Sequence, residues 1–204
     1  MYVLVENNAI TKTFNYGKGF VLNDTQYPKD IFTKWTKEEK EAIGIYEVIT
    51  DSTNYKDPAY YNNSNSTITF ENNQAIESWG TATARRLTDE NVVDENNQPI
   101  LDEDGNQLIN YGLKTVKKRI VKNEAASLLT PTDWYVVKAA EVADYNVPAD
   151  ITTYRAAVRT RSNEMETAID NAADVDALKT LYEYTEQADG SFTRPLGEWP
   201  EEVI

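Results

Sequence analysis

Hydrophobic positions follow two different periods along this chain, and the change falls near Tyr111. Up to about residue 92, short β-type runs rich in Thr and Tyr are separated by Asn-rich turn formers, a pattern of strands and loops. The runs predict strands over residues 1–6, 19–22, 45–50, 66–70 and 76–86. In the last of these, Trp79, Thr81, Thr83 and Arg85 alternate with the smaller Ser78, Gly80, Ala82 and Ala84, so one face lets another layer approach closely. A short helix interrupts the strands: Thr36 is its N-cap, Glu39 completes a capping box, and Gly44 suits the residue just past its end.

Residues 94–101 (DENNQPIL) and 102–109 (DEDGNQLI) form a near-tandem pair, each with an acidic, turn-forming head before a short apolar end. Asp104-Gly105 favours a tight turn because Gly takes positive φ without strain. The segment reads as an exposed acidic β-hairpin insertion. An EF-hand calcium loop needs an acid at its first position, where this register offers Ile100.

Beyond Tyr111 the period is helical. Leu113, Val116, Ile120, Val121 and Leu128 line one stripe, with Lys114, Lys117, Lys118, Arg119 and Lys122 around the rest. In an acidic chain that basic face is expected to meet the protein's own carboxylates or water; it is also the best local candidate for an acidic partner. Thr130 as cap, Pro131 at the first helical position and Asp133 in the first turn predict a second helix, with Trp134, Val137 and Glu141 along one face. A longer helix starts near residues 146–150 and repeats Ile151, Tyr154, Val158, Met165 and Ile169. Asp174 caps a last short helix carrying Val175, Leu178, Leu181 and Tyr182, before a turn at Gly190 and an irregular tail. The expected fold class is α+β: a β-rich domain over 1–92 with a short helix, the insertion over 93–110, and a small helical bundle or hairpin over 111–204.

Composition narrows the function more than the fold. The 204 residues include no cysteine, which leaves no disulfide, thiolate zinc site or cysteine nucleophile. They include no histidine either, which removes the usual general base, the Ser-His-Asp arrangement and the commonest transition-metal ligand. Paired acids can hydrolyse glycosides without histidine, but the acids here cluster in segments that read as solvated, so no enzyme is expected. A net charge of −14 opposes attraction to nucleic-acid phosphates. No apolar run of membrane-spanning length and no secretion signal is read from the sequence, so neither nucleic acid nor membrane is an expected partner.

Three short motifs remain: Asp133-Trp134 within TDW, Tyr154-Arg155 with Arg159 in a YRxxxR pattern, and Trp199-Pro200-Glu201 near the C-terminus. Their order resembles the C-terminal region of tailed-phage tail assembly chaperones, the tail-fibre assembly proteins among them, over roughly residues 125–201. Where relatives carry LR, this chain has Val158-Arg159, and its linker before Trp199 holds an additional helix. A YP, a Trp, an EE-rich turn and AIGIYEV in residues 27–48 resemble the N-terminal portion of the same proteins. The resemblance implies a chaperone that binds fibre or tail polypeptides, works in the host cytoplasm during assembly and uses no cofactor. The alternative is a tail, fibre or baseplate adaptor subunit retained in the virion tail. Oligomeric state is not set by any of this.

The same residues carry a physical expectation. Arg155 and Arg159, four apart on one helical face, repel each other by a few tenths of a kcal/mol in an isolated helix, about the size of other like-charge pairs at that spacing. A carboxylate from Asp133, Glu198, Glu201 or Glu202 is expected beside them. Trp134, Tyr154 and Trp199 are expected to add aromatic area as the tail folds back across the helices.

Overall fold

A computed structural model describes residues 1–14 and 18–203, and the chain divides into two compact units, Met1–Thr83 and Ala84–Ile204. The fold is mixed α+β, strand-rich at the N-terminus and helical toward the C-terminus. The division falls before residue 92, so the strand after Thr88 and the acidic insertion lie within the second unit.

The first unit contains β1 (Tyr2–Glu6), β2 (Ala9–Phe14), β3 (Phe20–Leu22), β4 (Thr25–Tyr27), α1 (Ile31–Lys34), α2 (Lys37–Glu41), β5 (Ile45–Asp51), β6 (Tyr61–Asn62), β7 (Ser66–Glu71) and β8 (Gln74–Trp79); the two-residue β9 (Thr83–Ala84) falls on the division itself. Five strands make one sheet in the order β2-β1-β5-β8-β7; only β5 and β8 run parallel. Three hairpins build this unit, and each turns on two residues with positive φ. These are Asn7-Asn8 (51° and 64°), Asn23-Asp24 (48° and 61°) and Asn72-Asn73 (50° and 61°). Such two-residue turns match the right-handed twist of the flanking strands, and Asn and Asp tolerate the left-handed region better than other side-chain-bearing residues. They bring in β2 and β4, which hydrophobic runs alone did not predict.

The expected strand over 76–86 is in fact two pieces. The chain leaves the ladder at Gly80, whose N–H donates to Ser64 Oγ at 2.8 Å, and residues 80–82 belong to no strand. Tyr2 and Leu4 share one face of β1 and pack with Phe14, Phe20, Ile31, Phe32 and Ile45. The rings stand 4.5 Å apart for Phe14–Phe20 and 5.0 Å for Tyr2–Phe32, within the range of favourable aromatic pairs. The capping box forms: Thr36 Oγ1 accepts from the Glu39 amide and Glu39 Oε2 from the Thr36 amide. At the helix end Gly44 has φ of +79°, and its carbonyl accepts from the Val5 amide.

The second unit begins with β10 (Glu90–Asn91), paired with β11 (Ile109–Asn110). Between them the tandem repeat makes two equivalent loops rather than one simple hairpin. Asp94 Oδ1 accepts from the Asn96 and Gln98 amides, and Asp102 Oδ1 from those of Asp104 and Asn106. Asn97 and Gly105 take the equivalent positive-φ positions. Main-chain bonds from Ile100 to Val92, Leu108 to Ile100 and Val92 to Leu108 close a ring of three. Hydrogen bonds lower the Asp102 carboxyl below its ordinary range, the Asn106 amide most of all.

Helices α3 (Leu113–Leu129) and α5 (Ala149–Asn171) pack together as the body of this unit. Between them lie a 3-10 turn, Thr130–Thr132, and α4 (Asp133–Glu141); α6 (Val175–Thr180) and a small hairpin of β12 (Thr185–Glu186) and β13 (Phe192–Thr193) follow. The expected α3 stripe is corrected in part: Leu113, Val121 and Ala125 are buried, whereas Val116 and Ile120 are exposed. All five expected apolar positions of α5 are buried. Asp174 caps α6 as expected, accepting from the Ala177 amide at 2.8 Å. Thr130 does not cap α4; its hydroxyl donates back to the Ala126 carbonyl, so the chain runs on from α3 through the 3-10 turn.

Candidate functional site

The basic face of α3 meets the protein's own groups. Lys118 pairs with Asp170 at 2.7 Å and Lys122 with Glu166 at 3.2 Å, Lys114 donates to the Asp170 carbonyl, and Arg119 lies over the Tyr111 ring. The three lysine contacts tie α3 to α5, and with the Arg119 ring contact they account for most of that face.

Of the motif residues, Asp133, Tyr154, Arg155 and Trp199 gather around α5 and the turn after α3. Arg155 is buried on α5; its guanidinium donates to the Leu129 carbonyl at 3.0 Å and to Thr132 Oγ1 at 2.5 Å, and pairs with Asp133 at 2.8 Å. Thr132 in turn donates to the Leu129 carbonyl. Of the four carboxylates expected beside the arginines, Asp133 is the one that arrives. A planar guanidinium with several fixed donors suits this task, since it satisfies a carbonyl, a hydroxyl and a carboxylate together. Tyr154 packs with Ala125 and Val158, and Trp199 and Val203 pack against that cluster. The Tyr154 phenol is pushed above its ordinary range, by burial first and then by the nearby charge of Glu202.

Arg159 does not join this network. It is exposed, it makes no ion pair among the described residues, and its contact is a long 3.4 Å bond to the Arg155 carbonyl. Trp134 also stays outside: it is 51% exposed, lies against Tyr135 and sits beneath Lys138. Pro200 is half-buried beside Trp199 in sequence. The tail does cross the helices, but Glu198, Glu201 and Glu202 pair with neither arginine among the described residues. It is held instead by Arg161, which donates to the Glu198 carbonyl at 2.9 Å and the Pro195 carbonyl at 2.8 Å, and by the Trp199 indole, which donates to Glu124 at 3.1 Å. Arg161 lies six positions beyond Arg155, roughly 120° around the helix, so a reading of the Arg155–Arg159 row passes over it. Its partners in the tail are main-chain carbonyls, which every residue carries, so the sequence held no signal for it beyond its positive charge.

The unit's exposed apolar surface is concentrated. Helix α4 buries no residue and exposes Trp134, Val136 and Val137, with Val142 just beyond it. The looped insertion exposes Val93, Ile100, Leu101, Leu108 and Ile109. Among the described residues no acidic cluster is arranged to hold a metal ion, and no helix is long and apolar enough to cross a membrane. Comparison of the chain with protein-family models, with curated protein sequences and with solved structures finds no match.

Proposed function

We propose that this protein is a phage tail assembly chaperone of the tail-fibre type, binding fibre or other tail polypeptides while they fold or attach. The motif order TDW, YRxxxR and WPE supports the reading, as does the N-terminal resemblance. The observation that carries it furthest is α4: a nine-residue helix with no buried side chain and three large exposed apolar ones, in a chain of net charge −14. An exposed apolar helix is a liability unless a partner covers it, and acidic surroundings keep such a protein from associating with itself. The client is a protein, no cofactor takes part, and no chemistry is performed.

Co-expression with a tail-fibre polypeptide tests this. Fibre is expected to be soluble and trimeric with the protein and to aggregate without it, and Val137→Asp on α4 is expected to abolish the rescue while leaving the protein folded. A fibre that folds equally well alone defeats the proposal. Mass spectrometry of purified particles separates a departing chaperone from a retained tail subunit, which would be present at fixed copy number.

A further inference from the structure

A cavity of about 520 Å³ opens between α3 and the C-terminal tail, lined by Ile120, Glu124, Ser127, Leu128, Arg194 and Trp199 among others. Its size falls within the range of ligand sites, but its mouth is wide, whereas sites for small molecules enclose most of the ligand. One wall is apolar and aromatic. Arg194 supplies the cation. Its guanidinium lies 5.0 Å from the centre of the Tyr184 ring and directly against Gly197, where any Cβ would collide with it. Gly197 has φ of +100°, and this backbone conformation is what favours glycine at this place.

So held, Arg194 donates no side-chain hydrogen bond and makes no ion pair among the described residues. The adjacent Glu198 carboxylate accepts from the Arg194 main-chain amide instead. An oriented but unpaired guanidinium beside a cavity is suited to bidentate capture of a carboxylate. Glu124 has a complementary part: Oε2 accepts from the Trp199 indole, which leaves Oε1 as an acceptor for an incoming N–H.

We infer that this cavity takes a carboxylate carried next to an apolar side chain on an extended stretch of partner polypeptide. Arg194 receives the carboxylate, Ile120, Leu128 and Trp199 receive the apolar group, and Glu124 accepts a main-chain N–H. The carboxylate comes either from a chain terminus or from an Asp or Glu side chain. The identity of the partner as a tail polypeptide rests on the assembly reading; the recognition chemistry does not.

The test is an NMR titration of the full-length protein, following the Trp199 indole N–H, assigned by its loss in Trp199→Phe. N-acetylleucine carries a terminal carboxylate, acetyl-leucyl-glutamic α-amide carries only a side-chain one, and N-acetylleucinamide carries neither. The indole resonance is expected to shift with one or both acids at millimolar concentration and not with the amide; whichever acid binds identifies the source. Arg194→Gln is expected to weaken binding at least about tenfold, the loss of a charge-assisted pair. Ile120→Glu, at an exposed position, supplies the same test if the arginine variant fails to fold. No shift with either acid, an equal shift with the amide, or undiminished binding to the variants overturns the inference. Since the titration contains no fibre, it can fail while fibre rescue succeeds, and the reverse.

Discussion

Helices α4 and α5 belong to one unit and carry adjacent pieces of one motif series, yet they meet opposite fates. Helix α5 buries Ile151, Tyr154, Arg155, Val158, Ser162, Met165 and Ile169; α4 buries nothing and presents Trp134, Val136 and Val137 to solvent. The difference divides the motif by role. Tyr154, Arg155 and Trp199 hold the unit together, whereas Trp134 and Arg159 remain on its surface. Asp133 stands at the join, where an exposed carboxylate is tied to a buried guanidinium.

The sharpest way to break this division is to truncate both helices. Ile169→Ala should cost about 2–5 kcal/mol in urea unfolding, the usual loss for a buried aliphatic side chain. Val137→Ala should stay within about 0.5 kcal/mol, as for other surface positions. Equal losses would mean that α4 is covered after all. Next in size, Arg155→Ala should cost about 1–3 kcal/mol, because it removes charge-assisted bonds to the Leu129 carbonyl, the Thr132 hydroxyl and Asp133 and leaves a gap beside α5, whereas Arg159→Ala should lower the melting temperature hardly at all. Smaller again, Trp199→Phe removes the donor to Glu124 and should cost about 0.5–1.5 kcal/mol, against no measurable loss for Trp134→Phe.

The smallest effect is a pH dependence outside the helices. The Asp102 carboxyl sits below its ordinary value of 3.8 in the folded chain, so its contribution is complete above that value and is lost as pH falls through the lowered one. The amide resonances of Asp104 and Asn106 should move over that acidic window, while those of α5 stay fixed. Simultaneous movement of both would show that the loop and the helices open together.

Much of this was legible in the sequence where one residue type answers one local need. Thr36 with Glu39, Asp174, the apolar row of α5 and the carboxylate owed to Arg155 all follow from short-range rules. What escaped depended on partners distant in sequence. Val116 and Ile120 fit the helical stripe of α3 as well as Val121 does, and only the direction from which α5 arrives decides which are buried. Arg159 is chemically the equal of Arg155, but the Leu129 carbonyl and Thr132 lie beside only one of them. The strands β2 and β4 were missed for a local reason, because paired Asn and Asp serve as hairpin turns without the glycine that usually marks one.

Those three asparagine turns also order events in time. Hairpins of this kind close in about 1–10 μs, since each needs only its own neighbours. The parallel pairing of β5 with β8 must instead gather a long intervening segment, and the entropy of that closure is spent before the contact returns anything. The first unit is thus a set of quick local pieces waiting on one slow junction. Stopped-flow refolding should find Ala75→Gly, at that junction, slowing the first unit more than Asn8→Gly in a turn; during the wait, the edge of β8 that β5 will cover stands open to any other strand within reach.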